Sequence, residues 1–352
     1  DLSAKTHHVI GWLLGDSIDL DAQLEANLLS QVLLDNSASP LRRALEESDL
    51  GTTPSPLCGL EDSNREMSFM CGLEGSEPEH AEAVEALILN TLEKVAEEGV
   101  PVEMVEAALH QLELHQREIG GDHYPYGLQL ILTALPAATH YGDPVALLNL
   151  DPALERLRAK ASSPGFISDA VRQLLLTNTH RVRYTLKPSS TLNAEKADKE
   201  KARLENERAN MSDADIQALK DKAEALEARQ VQEDDPDILP KVGLEDIRPE
   251  LTYVAPTAER SDRIDTTEYV TGTNGIIYQQ AMLNLPPMTR EQMTWLPFYT
   301  QAWTEVGAGG NSYLTQQQRQ TEVLGSLTSY ASVKGDIEDC NRLSGYLVMT
   351  GK

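Results

Sequence analysis

The sequence predicts an α+β protein in which two α/β regions are joined by a long helical hairpin linker. Three observations predict this organisation. Residues 1–190 mix strand-like segments with helices, residues 191–235 form a charged and almost aromatic-free segment, and residues 236–352 return to mixed elements. The length of 352 residues suits two domains, and a hydrophobic content of 40% suits packed cores.

The charge balance makes two classes of partner unexpected. The chain has 56 acidic and 30 basic residues, which gives a formal net charge of −26. Such an excess of negative charge repels phosphate backbones and anionic lipid surfaces, so we expect neither nucleic acid nor a membrane as a partner. No apolar run approaches the roughly 20 residues of a membrane span.

The three cysteines predict a reducing compartment rather than a disulfide framework. Cys58, Cys71 and Cys340 form no C-x-x-C pair, and one bridge between Cys58 and Cys71 stays open as an alternative. None of the three has an adjacent basic group that would favour a thiolate, so no reactive cysteine is predicted.

The first region, residues 1–190, opens with a strand followed by a capped helix. Residues 7–14 alternate as a strand does, and Asp19 can cap a helix whose leucines fall near one stripe. Gly99 and Pro101 end one helix and begin the next. The other predicted elements are strands at 65–73 and 181–186 and helices at 41–47, 79–97, 102–117, 126–137, 154–161 and 167–176.

The linker, residues 191–235, is predicted to be a hairpin of two helical arms. Ser212 is placed to cap the second arm, with Asp215 three residues later in a weak capping box. Each arm is about 30 Å long if ~20 residues rise 1.5 Å each. The second arm carries a narrow apolar stripe, which needs another surface to lie on: Ile216, Leu219, Ala223 and Leu226.

The third region, residues 236–352, begins with an extended strap marked by four prolines between 236 and 256. Asn274-Gly275 is a strong hairpin signal between strand-like residues 263–270 and 276–283. Helices at 292–305 and 316–324 and a strand at 327–333 follow. These elements are too few to close a sheet, so we expect the chain to be an internal piece of a longer protein.

The sequence contains no self-contained active site. The best metal candidate is His110-Gln111-Leu112-Glu113-Leu114-His115, but residues five apart on a helix diverge by about 140°, so the two histidines cannot readily share one ion. No nucleophile elbow or phosphate-binding loop is present. No metal or cofactor is therefore expected on this chain itself.

Several segments together resemble the second domain, linker and third domain of the presequence-protease branch of the pitrilysin-type (inverzincin) zinc metallopeptidases. The resemblance covers essentially the whole chain, and it depends on the order of the segments more than on one motif. These segments are 110–113 with 120–128 (GGDHYPYGL), 142–145 (GDPV), the strand before 187–189, the charged hairpin, 239–247 (LPKVGLEDI), 274–278 (NGIIY) and 307–309 (GAG).

This resemblance implies domains of the pitrilysin/insulinase type, with the second domain at 1–190, the linker at 191–235 and the start of the third domain at 236–352. It implies a zinc metalloendopeptidase that degrades short unstructured peptides in a closed chamber. The zinc motif H-x-x-E-H belongs to the family's first domain and is absent here, so this chain would supply chamber wall and hinge but no catalytic or metal-binding residue. The candidate substrate-wall strand is Ser326, Leu327 and Thr328.

The implied partners are unstructured peptides and the remaining domains of the same polypeptide, with the protein a monomer. The implied compartment is the cytoplasm for a bacterial source and an organelle matrix for a eukaryotic one. Two alternatives remain: a non-catalytic scaffold of the same fold, and an interaction module that associates through the hairpin stripe.

Overall fold

A computed structural model describes residues 1–119, 125–247, 249–250, 253–261, 263–339 and 342–352. They form two compact units. The first combines Asp1–Pro188 with Gly272–Lys352, and the second is Ser189–Thr271. The helices of the described part include none long and apolar enough to cross a membrane.

The first unit begins with an antiparallel five-stranded sheet. Its strands are β1 (Thr6–Asp16), β2 (Thr53–Pro54), β3 (Gly59–Glu61), β4 (Glu66–Ser76) and β5 (Arg181–Leu186). The order is β2-β4-β1-β5, and β3 also pairs with β4. The sequence predicted β1, β4 and β5 and missed β2 and β3, because two or three residues are too few to show an alternating pattern.

Helices pack against this sheet and bury one continuous core. They are α1 (Leu20–Leu34), α2 (Pro40–Glu46), α3 (Ala81–Glu98), α4 (Val102–Arg117), α6 (Leu150–Ala161) and α7 (Phe166–Val171), whereas α5 (Tyr126–Thr139) contributes no residue to this core. Asp19 caps α1 as predicted, accepting from the Ala22 N–H at 3.1 Å. The leucine stripe of α1 is buried in the core.

Trp12 and Phe69 are opposed on β1 and β4 at the centre of this core, with ring centroids 5.9 Å apart. The predicted helix at 167–176 instead ends at Val171 and continues as a π-helical turn, Arg172–Leu176. The indole N–H of Trp12 donates to the Leu175 carbonyl in that turn at 2.8 Å. A buried donor is thereby satisfied, since an indole N–H without a partner would destabilise the core.

The second unit contains the predicted helical hairpin, α8 (Leu192–Ala209) and α9 (Asp213–Gln230). The capping box predicted at Ser212 and Asp215 is confirmed, with each residue bonding to the other's backbone N–H. All residues of both helices are described, and none of them is buried. A short strand pair, β6 (Ala258–Ser261) and β7 (Asp265–Glu268), completes the unit.

The second part of the first unit, Gly272–Lys352, carries a three-stranded antiparallel sheet with two helices. The elements are β8 (Gln279–Asn284), α10 (Arg290–Trp303), α11 (Tyr313–Val323), β9 (Leu327–Gly335) and β10 (Leu343–Gly351), in sheet order β8-β10-β9. The central strand β10 was not predicted. Its glycines weaken the strand signal, and Gly345 faces Leu285 closely enough that a Cβ would lie 3.0 Å from the Leu285 Cδ1.

The hairpin predicted at Asn274-Gly275 is wrong, although the turn itself forms. Asn274 and Gly275 both have positive φ (53° and 84°), and the Ile276 N–H donates to the Thr273 carbonyl at 3.1 Å. The strands on either side do not pair with each other, because β7 pairs with β6 and β8 pairs with β10. Turn conformation is local, whereas strand pairing depends on which distant strand buries more surface.

Candidate functional site

The predicted substrate-wall residues lie at the beginning of an edge strand. Leu327 and Thr328 are the first residues of β9, and Ser326 precedes it. β9 pairs with β10 on one side, and within the described residues no strand pairs with its other side. The Ser326 carbonyl accepts from the Lys352 N–H at 3.2 Å, so Ser326 extends the β10 side of the ladder. The free side of β9 therefore presents unpaired backbone groups.

The side chains of β9 differ in exposure and in hydrogen bonding. The hydroxyls of Thr328 and Thr350 are 2.5 Å apart across the β9–β10 pair. Tyr330 and Val333 are 45% and 43% exposed, which is high for large apolar side chains in a sheet. The Ser329 hydroxyl is buried and has no hydrogen-bond partner. β10 therefore holds β9 in place, while the side chains of Tyr330 and Val333 remain accessible to solvent.

A mainly apolar hollow of about 350 Å³ lies beside the start of β9. Of the described residues around it, only Lys352 carries a charge, and it is also paired with Glu118 at the end of α4. Its lining residues include Ile277, Ala281, Leu324, Leu327 and Met349.

Helix α4 supports the start of β9 from the first part of the unit. The Gln111 side-chain N–H₂ group donates to two carbonyls at the end of α11, Thr321 at 2.8 Å and Leu324 at 2.5 Å. A Cβ added to Gly325 would lie 2.8 Å from the Leu114 Cδ1, so the backbone before β9 approaches α4 closely. One turn later, the Asn274 side chain donates to the Arg117 carbonyl at 2.9 Å.

The segment that resembled a metal motif is this same supporting helix. His110 and His115 are exposed, and Glu113 instead binds two cations, Arg117 at 2.8 Å and Arg158 at 2.7 Å. Burial opposes ionisation of Glu113, but the hydrogen bond from Arg117 and the charges of Arg158, Arg117 and His110 lower its pKa overall. Across the described ranges no three His, Cys, Asp or Glu residues group closely enough to hold a metal ion.

The expectation that no cysteine has a basic neighbour is wrong for Cys58. Arg42, sixteen positions earlier in α2, lies close enough to lower the pKa of the Cys58 thiol, together with larger effects from nearby groups. Adjacent sequence positions could not reveal this neighbour, because Arg42 and Cys58 are brought together only when α2 packs beside β2 in the folded chain. Cys58 and Cys71 are both free thiols in the structure.

The structure also identifies a residue that supports β9 and that the sequence did not indicate. The residues that flank Gln111 in the sequence do not indicate that its side chain donates hydrogen bonds to carbonyls 210 and 213 positions away. Two predicted features lie outside the described residues, namely Cys340 and the motif residues 120–124. The predicted hairpin stripe is described, and Leu219 and Leu226 are 51% and 57% exposed.

Two family models match the chain. The model described as "Peptidase M16 inactive domain" matches residues 1–112. The other describes a region associated with M16 peptidases of subfamily C, and it matches residues 186–352. The second match covers the hairpin, the strap and the β8-β10-β9 sheet with its helices.

Curated relatives match nearly the whole chain. Presequence protease 1, chloroplastic/mitochondrial, of Arabidopsis thaliana is 30% identical across 97% of this chain and 33% of its own length. The mitochondrial presequence protease of Xenopus tropicalis is 28% identical across 93% of this chain and 32% of its own length. The chain thus spans about a third of the length of these relatives.

Among solved structures, the periplasmic protease PqqL from Escherichia coli aligns with 99% of this chain and 37% of its own chain. Its TM-score is 0.36 and its sequence identity is 12%.

Proposed function

This chain belongs to the M16 peptidase family, and from that premise we propose that it is the chamber wall and hinge of a larger peptidase. The match to an inactive M16 domain supports a non-catalytic role for residues 1–112. The match of residues 186–352 to a region associated with subfamily C of these peptidases supports a joining role for the hairpin and strap. The substrates of the complete protein would be short unstructured peptides.

The residues described here do not fit a zinc ion. Glu113 is neutralised by two arginines, and the histidines on either side of it point away from each other around the helix. We therefore assign the family's zinc chemistry, activation of a water for peptide hydrolysis, to other domains of the same polypeptide. If those domains lack zinc ligands, the protein is a non-catalytic scaffold of the same fold.

The unpaired side of β9 is the observation that supports peptide binding. An extended peptide can add to such an edge through main-chain hydrogen bonds, with alternate side chains entering neighbouring hollows. Ser326, Leu327 and Thr328 would receive one end of that peptide, because α4 and Lys352 hold the backbone there. The hollow beside Leu327 would then take one apolar side chain.

The charge of the chain supports basic peptides as the preferred class. A net charge of −26 attracts positively charged ligands over a distance of about one Debye length, roughly 8–10 Å in physiological salt. Peptides rich in Lys and Arg with few acidic residues would therefore be enriched near the surface of the chain as a whole. Binding should weaken as salt is raised.

The compartment and partners follow the same reasoning. The two relatives are named as chloroplastic/mitochondrial and mitochondrial proteins. We propose an organelle matrix for a eukaryotic source and the cytoplasm for a bacterial one. The remaining domains of the same polypeptide would be the partners in a monomeric enzyme.

Backbone-methylated peptides test the binding mode directly. In a peptide added to a strand edge, every second N–H points toward the edge and the others point away. Two versions of one basic ten-residue peptide, N-methylated at alternate positions in opposite phase, have matched composition and charge. We expect one phase to bind this chain at least 10-fold more weakly than the other, by fluorescence anisotropy.

A photo-crosslinking version of the same peptide locates the bound segment. We expect mass spectrometry to find the crosslink within 326–335. Equal affinity of the two methylated phases, or a crosslink confined to another surface, would contradict edge binding by β9.

A second candidate function rests on the exposed hairpin stripe. If Leu219 and Leu226 drive association, the chain should dimerise and the double variant Leu219→Lys, Leu226→Lys should be monomeric in analytical ultracentrifugation. A monomeric wild-type chain at tens of micromolar would remove this alternative and leave the wall-and-hinge proposal unaffected.

A further inference from the structure

Cys58 and Cys71 occupy directly opposed positions on neighbouring chain segments. β3 pairs with β4 so that Gly59 faces Met70 and Leu60 faces Phe69; continuing this register by one residue places Cys58 opposite Cys71, and the two thiols are hydrogen-bonded to each other. Residues opposed in this way have Cα atoms about 4.5–5.5 Å apart. Disulfides form when the Cα atoms are about 4.4–6.8 Å apart, so the backbone already suits a bridge.

The two thiols differ in burial and are fixed side by side. Cys71 is 0% exposed and belongs to the core, whereas Cys58 is partly exposed. The Gly72 N–H donates to the Cys58 sulfur at 3.3 Å, and the Cys58 sulfur lies 3.4 Å from the Gly72 carbonyl. Gly72 immediately follows Cys71, so these contacts hold the Cys58 sulfur next to the second thiol.

Gly72 cannot be replaced without disturbing this arrangement. β1 approaches β4 so closely here that a Cβ at Gly72 would lie 2.8 Å from the Val9 Cα. The backbone that anchors the Cys58 sulfur is therefore itself held by β1, and the thiol pair sits on a rigid part of the sheet.

The electrostatics assign different roles to the two sulfurs. A hydrogen bond from Cys71, with smaller contributions from the Gly72 N–H and Arg42, lowers the pKa of Cys58 to about 7 against the opposing effect of burial. The same interaction, together with burial and the charge of Cys58, raises the pKa of Cys71. Near neutral pH, Cys58 is thus the nucleophile and Cys71 its protonated neighbour.

We propose that Cys58 and Cys71 are a reversible dithiol–disulfide site that reacts with hydrogen peroxide, with Cys58 as the attacking sulfur and Cys71 as the resolving one. The Cys58 thiolate attacks a peroxide oxygen, the O–O bond breaks, and the departing hydroxide takes a proton to become water. The Cys58 sulfenic acid is then attacked by the Cys71 sulfur, which forms the S–S bond and releases the second oxygen as water. One peroxide is reduced to two waters while two thiols lose two electrons and two protons.

The bond would tie the short strand β3 to β4 and close the loop between them. Such a cross-link restricts the unfolded chain more than the folded one. We therefore expect the oxidised protein to melt about 5 °C higher than the reduced protein. A small-molecule dithiol such as dithiothreitol should return it to the original temperature.

The experiment uses the full chain carrying Cys340→Ser, so that only the two opposed cysteines remain. After brief treatment with hydrogen peroxide at pH 7, we expect a mass loss of 2 Da and a tryptic peptide pair linked through Cys58 and Cys71. Adding Cys71→Ser should stop the reaction at a sulfenic acid on Cys58, which dimedone traps. Adding Cys58→Ser should leave Cys71 unmodified, because it is buried and protonated.

Arg42→Gln provides a variant that keeps both thiols. It should move the pH at which peroxide reacts half-maximally upward from near pH 7 and slow the reaction several-fold at pH 7, while the same disulfide still forms. The proposal is overturned if the folded protein forms no Cys58–Cys71 linkage. It is also overturned if Cys71 reacts as fast in the Cys58→Ser variant as Cys58 does in the parent.

Discussion

Replacing Gln111 by Met tests how the first part of the first unit holds the start of β9. Met has nearly the same length and helix propensity as Gln but cannot donate a hydrogen bond. The change removes both bonds from Gln111 to the last carbonyls of α11, at 2.8 and 2.5 Å. Each such bond contributes roughly 0.5–1.5 kcal/mol net, so the loss is about 1–3 kcal/mol.

A hollow of about 30 Å³ beside Gln111 and Thr321 indicates where in this range of 1–3 kcal/mol the destabilisation should fall. It has room for a water that can replace one of the two lost donors. We therefore expect about 2 kcal/mol of destabilisation, which is roughly a 30-fold increase in the local opening constant of α11.

Hydrogen exchange measured by mass spectrometry separates this local effect from global unfolding. Peptides covering α11 and the first residues of β9 should exchange about 30-fold faster in Gln111→Met, whereas peptides from α3 should be unchanged. Glu106→Met, on the exposed side of the same helix, is the matched control and should alter neither region. Unchanged exchange in α11, or an equal increase in α3, would refute the idea that Gln111 holds the end of α11 locally.

Three further predictions concern stability. His8→Leu should destabilise the first unit by about 1–3 kcal/mol in urea unfolding, because it removes the partners of the Glu77 carbonyl (2.8 Å) and the Thr185 hydroxyl (3.1 Å); exposed His115→Leu is the control. Ser212→Ala should cost about 1 kcal/mol of local helix stability, seen as faster hydrogen exchange in the first turns of α9 with α8 unchanged. Because the pKa of Glu113 is lowered in the folded state, its ion pairs stabilise the protein above the ordinary glutamate range near pH 4.5, and this contribution disappears as pH falls through the lowered value. Glu113→Gln should therefore be less stable than the parent at pH 6, and the difference should shrink by pH 3; a difference that stays constant with pH would contradict this assignment.

Local features of the fold could be predicted from the sequence because their causes are local. Asp19 and Ser212 cap helices through residues three positions away, and the stripe on α1 shows which side meets the core. The turn at Asn274-Gly275 forms for the same reason, since both residues tolerate positive φ. Which strands pair beyond that turn depends on residues far along the chain. The hairpin predicted between 263–270 and 276–283 was wrong for this reason.

The candidate site was only partly predictable for a related physical reason. A resemblance pointed to residues 326–328, and Leu327 and Thr328 begin a strand that lies at the edge of its sheet within the described residues. The support for that strand comes from Gln111, whose partners are 210 and 213 residues away, and no periodicity records such a contact. The environment of Cys58 was hidden in the same way, because Arg42 becomes its neighbour only when α2 packs beside β2.

The absence of any buried residue in α8 and α9 has a mechanical consequence. With no core to hold them, these two 18-residue helices persist mainly through backbone bonds, caps and pairs such as Arg203–Glu207 at 3.0 Å. Unwinding one turn of such a helix lengthens the segment by about 6 Å, since a residue spans about 1.5 Å in a helix and about 3.3 Å when extended. Under tension, the hairpin can therefore lengthen by unwinding one helical turn at a time. Its resistance to extension falls as the temperature rises.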